Sequence, residues 1–433
     1  INSGGTFIAT SGTTTIKGNA SSSANLAWAN SGTFTHNGGT VLFDGTNTFG
    51  GSSFGHINPA TNTFNNLTIN ADSKVLQLRG NSTTLTVAGD LTMTDGTLMN
   101  FGTNTVTTTV TGDVSIANGA TFGANTGGND MTAPLNFGSL TIASGGTFIA
   151  TSDTTTITNE NSSNYAIQNN GTFTHNSGTV SIETADHTSM AWSSANQRFN
   201  NLTINLGASA RSFTQASGIG DTDNKYIEGA LQIINSTYNV NNLELRVDGD
   251  VTLSTNAVLN GAAGDVKFGT LKVESGTTYN ATSGTTSLNA AGQGHSGNPS
   301  AMEIVSGGTF THNNGTIKLN GITDQDIEMD GTGNFYNLTL DKTNNDVIMH
   351  PNVTIENNLD VTLASDHTLR PASTSNTVTV LNQTILRAGK IGATTAYDAN
   401  HNWGTLTILG GTFIVGSGTN EVTAIRNVGG TIS

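Results

Sequence analysis

The sequence predicts an all-β fold, an elongated parallel β-solenoid, and three recurring markers predict it. Phe64-Asn65-Asn66-Leu67-Thr68-Ile69-Asn70 returns as Phe199-Asn200-Asn201-Leu202-Thr203-Ile204-Asn205 and, altered, as Phe335-Tyr336-Asn337-Leu338-Thr339-Leu340-Asp341. The separations are 199 − 64 = 135 and 335 − 199 = 136 residues. Phe137-Gly138-Ser139-Leu140-Thr141-Ile142 keeps the same beat at Phe268 and Trp403, and Gly-Thr-Phe-Thr-His-Asn does so from Gly32, Gly171 and Gly308. One shared period means about three copies of a module of ~135 residues, and such self-similarity outranks any compact-domain prior drawn from length.

Each marker also contains the smaller unit. In Leu67-Thr68-Ile69 apolar and polar residues alternate, the period of a half-buried strand. Related pieces begin at Leu91, Val114 and Leu140, so the steps are 24, 23 and 26 residues. One such piece cannot bury its apolar side alone, whereas a stack can. Coils of roughly 20–26 residues give about 20 coils, spaced ~4.8 Å apart. Leu67, Ile69, Leu202, Ile204, Leu338 and Leu340 should point inward, and Thr68, Thr203 and Thr339 outward.

In chain order, residues 1–63 read as the end of a module, 64–198 and 199–334 as complete modules, and 335–433 as a partial one. Ser3 to Ser11 is repeated letter for letter at Ser144 to Ser152, and a looser copy starts at Ser275. Phe7, Phe148 and Tyr279 therefore share one position, which predicts an interior or stacking role. Both ends fall within the repeat, so the expected partners are further β-solenoid segments or copies of the chain, end to end. Swollen loops are expected at residues 50–56, 125–130, 214–226 and 292–297, the places where a solenoid would contact a host-surface glycan.

Composition narrows the function classes. Only 34% of residues are hydrophobic and 10% charged, with 53 Gly and 5 Pro, which suits many strands separated by tight turns. The net charge of −15, with 15 basic residues spread along the chain, argues against a nucleic-acid surface. No cysteine is present, so disulfides, thiolate metal sites and cysteine nucleophiles are excluded. No run of 18 apolar residues occurs, which argues against membrane insertion by a helix.

Candidate chemistry is sparse. Asp90, Asp113, Asp250 and Asp265 each follow Gly and precede Leu or Val, as turn-capping carboxylates would. Asp324, Asp326, Glu328 and Asp330 alternate with Gln325, Ile327 and Met329, which predicts an acidic, solvated strand face and the best cation candidate, calcium included. The neighbouring coils show no matching carboxylate group in the sequence, so paired-carboxylate glycoside hydrolysis is the weaker reading and no cofactor is expected. His36, His175 and His312 share the Thr-His-Asn position several coils apart, as corner residues rather than joint metal ligands.

Phe335-Tyr336-Asn337-Leu338-Thr339-Leu340, the run from Gly308 to Thr316, and Val110-Thr111-Gly112-Asp113-Val114-Ser115-Ile116 resemble the β-strand-repeat proteins of bacterial surfaces and marine bacteriophages. The resemblance implies an adhesin-like or tail-fibre role at a cell or virion surface, with no catalytic residues. The resulting expectation is a non-enzymatic, extracellular fibre shaft, of a phage tail fibre or a cell-surface filament, that supports attachment. The alternative is a carbohydrate-binding or polysaccharide-cleaving β-helix.

Overall fold

The computed structural model describes every residue outside 18–25, 46–52, 60–61, 81, 125–130, 193–197, 216–225, 291, 294–298, 374, 393–399 and 416–419. Strands and turns make up the described residues, with no helix among them. The strands stack in parallel as a β-solenoid of about 16 turns, fewer than the about 20 expected. The difference lies in coils that carry insertions. Thr286 to Ile317, equivalent residues on successive coils, are 317 − 286 = 31 residues apart. Of the expected swollen loops, 50–52, 125–130, 216–225 and 294–297 lie outside the described residues.

The chain divides into two compact units. Ile1–Leu206 belong to the first, Gly207–Gln215 and Lys225–Ser433 to the second. In the first unit, one ladder runs through Thr40–Asp44, Asn66–Leu78, Leu91–Asn100, Val106–Ile116, Leu135–Ile142 and Tyr165–Asn169. Leu67, Leu91, Val114 and Leu140 are successive register partners on it, the four positions that the 24, 23 and 26 residue steps had marked. A second ladder stacks Thr83–Val87, Val106–Ile116, Leu135–Ile142, Thr154–Ile157, Thr179–Ile182 and Asn201–Asn205. A third links Leu91–Asn100, Ala120–Phe122, Thr147–Ile149 and Thr172–Thr174.

The second unit repeats the plan. One ladder joins Leu245–Ser254, Val266–Val273, Thr285–Leu288, Thr316–Leu319, Phe335–Lys342 and Val353–Leu363. Another carries Leu231–Ile234, Leu245–Ser254, Val266–Val273, Pro299–Ile304, Asp326–Met329 and Val347–His350. The third stacks Ser212–Gln215, Thr237–Asn239, Val258–Asn260, Thr278–Asn280 and Thr309–Thr311. Gly292–Gln293 pairs antiparallel with Pro299 and Ser300, a local departure from the parallel pattern.

The alternation sorts side chains as predicted. Leu67, Ile69, Ile204, Leu338 and Leu340 are fully buried and Leu202 nearly so. Thr68, Thr203 and Thr339 alternate with them on the outer face and are half-buried by the coils above and below. Each buried Leu or Ile contributes about 1.5–3 kcal/mol, and identical register on every coil turns these contributions into continuous columns. Aromatic rings form their own column in the first unit: Phe148 lies 5.7 Å from Phe122 and 5.7 Å from Phe173. In the second unit Tyr279 and Phe310 stack at 5.9 Å, and Phe310 meets Phe335 at 5.5 Å. Phe7 stacks on Phe34 at 6.0 Å but remains partly exposed.

Outside, polar side chains link coil to coil. The Asn280 amide donates to Asn260 at 2.8 Å, and Asn260 donates to Asn239 at 2.7 Å. Asn382 donates to Asn357 at 2.8 Å, and Asn357 to Asn337 at 2.9 Å. The Gly-Asp positions do likewise. Asp90 accepts the Asp113 N–H at 2.9 Å, Asp113 accepts the Ser139 hydroxyl at 2.7 Å, and Asp265 accepts the Thr285 N–H at 2.8 Å. These carboxylates therefore bind the neighbouring coil rather than capping their own turn, because the next strand start presents its donor directly over them.

Candidate functional site

The Thr-His-Asn positions are corners. Nδ1 of His36, His175 and His312 accepts a backbone N–H from Gly38, Ser177 and Asn314, at 3.0, 2.9 and 2.9 Å. The two residues after each histidine take left-handed φ, for example Asn176 at 47° and Ser177 at 60°, which Asn tolerates better than most residues. An accepting Nδ1 requires the neutral ring with its proton on Nε2. The imidazole thus closes a tight turn.

The acidic strand is different from its expectation. Asp324 and Asp330 are exposed, whereas Asp326 and Glu328 are each only 2% exposed. They do share the outer face, since Ile327 between them is fully buried in the core, but that face is covered. The ladder explains part of this. Glu328 lies in register with Glu303 on the preceding coil and with His350 on the following one, and Glu303 with Lys272 one coil further. A carboxylate does therefore stand on the neighbouring coil, contrary to the expectation from sequence. Glu303 carries no repeat marker, so nothing in the sequence aligned it with Glu328.

Like charges stacked on adjacent strands repel, and the surrounding groups offset this. Lys272 Nζ lies 3.5 Å from Glu303 Oε2, the Ser300 hydroxyl donates to Glu328 Oε1, and His350 Nε2 lies 3.4 Å from Asp326 Oδ2. Burial raises the Asp326 carboxyl above its ordinary range, and His350 partly offsets that rise. Glu303 is 4% exposed and its Oε1 has no hydrogen-bond partner among the described residues. Beside it opens a recess lined by Asp250, Thr252, Thr270, Lys272 and Ser300. Asp250 is committed to the Thr270 hydroxyl at 2.7 Å. Among the described residues, no three His, Asp or Glu side chains converge as a metal site would require, although Asp324 and Glu328 lie near enough to Asp326 to add to the rise of its carboxyl. The carboxyl pair has the one-coil spacing, about 4.8 Å between strands, but both carboxyls are covered.

A second polar group occupies the corner next to this strand. Lys342 follows Leu340 by two residues and so points inward, where it is 3% exposed. Its Nζ donates to Gly321 O at 3.0 Å, Thr323 O at 2.7 Å and Gln325 Oε1 at 2.9 Å. Gln325, fully buried, donates through Nε2 to Leu288 O at 3.0 Å and Ala290 O at 2.8 Å, and accepts the Gly321 N–H at 2.8 Å. The pair thus ties three successive coils together. Parity in the sequence, which sets Lys342 in phase with Leu338 and Leu340, was the signal for it.

No protein-family model, curated protein or solved structure matches the chain. No helix among the described residues is long and apolar enough to cross a membrane.

Proposed function

We propose that this chain is a non-enzymatic structural element, the shaft of a virion appendage such as a tail fibre or of a cell-surface filament, which supports attachment to a host or surface. The carrying observation is where its polar chemistry goes. Asn, Asp, Ser and Thr side chains on the outer face are committed to the coil next door, and the acidic strand is covered instead of lining an open cleft. Chemistry of this kind maintains stacking. Extracellular location and end-to-end partners made of further β-solenoid belong to the same proposal.

The recess beside Glu303 favours a second reading, a carbohydrate-binding or carbohydrate-cleaving β-helix, because hydroxyls and carboxylates line it. Residues 1–433 should be tested on immobilised glycans, in a polysaccharide depolymerisation assay and in a surface-adhesion assay. The structural reading expects no depolymerisation. Turnover of a polysaccharide that is lost in Glu303→Gln would overturn it and establish the second.

A further inference from the structure

We propose that Lys342 and Gln325 are a site of spontaneous crosslinking, in which the lysine amine displaces ammonia from the glutamine carboxamide and leaves an isopeptide bond between adjacent coils. The Nζ lies 2.9 Å from Oε1, and the carbonyl carbon is at most about one C=O bond length, ~1.2 Å, further away. A small rotation about the end of the lysine chain brings the nitrogen to attack distance. Both side chains are shielded from water, at 3% and 0% exposure, so hydrolysis does not compete.

The surroundings supply the other requirements. Burial pulls the ammonium down to about 8, with the carboxylates of Asp324 and Asp326 opposing that fall, so about a tenth of the lysine is free amine at neutral pH and most of it is at pH 9. The Gly321 N–H already points at Oε1 from 2.8 Å, where negative charge develops during addition. Nε2 is oriented by the carbonyls of Leu288 and Ala290, which holds the amide plane fixed.

The step balances without a co-reactant. The lone pair of the neutral amine forms the new bond to Cδ as the carbonyl π pair moves onto Oε1. Collapse restores the carbonyl and breaks the Cδ–Nε2 bond. The proton shed by Nζ goes to the departing nitrogen, which leaves as ammonia. One amide replaces another, with nothing oxidised or reduced.

Intact-mass measurement of purified 1–433, held folded at pH 6.5 and at pH 9, tests this. The expected result is a mass lower than the sequence mass by one ammonia, appearing faster at pH 9, together with a joined peptide containing Gln325 and Lys342 after digestion. Lys342→Arg should retain the full mass. An unchanged wild-type mass after prolonged incubation at pH 9 overturns the proposal. So does loss of ammonia with the two peptides still separate, as a succinimide at an asparagine would give.

Discussion

Asp326, like Glu328, follows the alternation of its strand and is nevertheless covered. Its folded-state pKa is raised above the ordinary 3.8 by burial, so the folded chain holds this proton more tightly than the unfolded chain. The contribution to stability is therefore complete below about pH 4 and is lost as pH rises through the raised value. We expect Asp326→Asn to remove that slope and to be at least as stable as wild type at pH 7, by urea denaturation at several pH values. A wild-type stability that rises over this window relative to the variant would refute the assignment. The histidine corners make a smaller claim. His175→Ala removes the acceptor for the Ser177 N–H, a surface bond worth about 0.5–1.5 kcal/mol, and denaturant midpoints should shift by no more than that. The alternation of apolar and polar letters revealed which way Asp326 and Glu328 point. It could not reveal that they are covered, because burial of an outer face depends on groups such as Ser300 and Glu303 more than twenty residues away.

At the scale of the element, stacked columns rather than single strands are the units of stability. Phe148 is fully buried between Phe122 and Phe173, and Phe148→Ala should cost about 3–5 kcal/mol through lost burial and the cavity left behind. Each coil touches only its neighbours, so the damage should remain local. Hydrogen exchange is expected to accelerate in Ala120–Phe122, Thr147–Ile149 and Thr172–Thr174 while Val258–Asn260 keeps its protection. Uniform loss across both units would mean that the chain unfolds as one block. Register was the most legible level of this fold: Leu67, Leu91, Val114 and Leu140 were paired correctly because the buried face tolerates no slip of one residue. Turn count was less legible, since insertions such as the one between Thr286 and Ile317 lengthen a coil without leaving a period.

For the molecule as a whole, net charge opposes the compact state. A net −15 spread over polar outer faces is self-repulsion, so added salt should raise the thermal midpoint by screening. Calcium should do no more than magnesium or sodium at matched ionic strength, and a chelator should change nothing. A calcium-specific rise in the midpoint would show that acidic side chains do assemble around a cation.

The asparagine columns give each stack a direction. Asn280 donates to Asn260 and Asn260 to Asn239, while Asn382 donates to Asn357 and Asn357 to Asn337, always toward the lower number. The amide dipoles of a column consequently add head to tail, and the last amide N–H passes to a threonine hydroxyl, from Asn239 to Thr214 at 3.4 Å and from Asn337 to Thr316 at 3.5 Å. A flipped coil would set oxygen against oxygen. Any β-structured segment that extends such a column must arrive with the same polarity, so growth along it is a vector, and a guest strand is read for orientation as well as for fit.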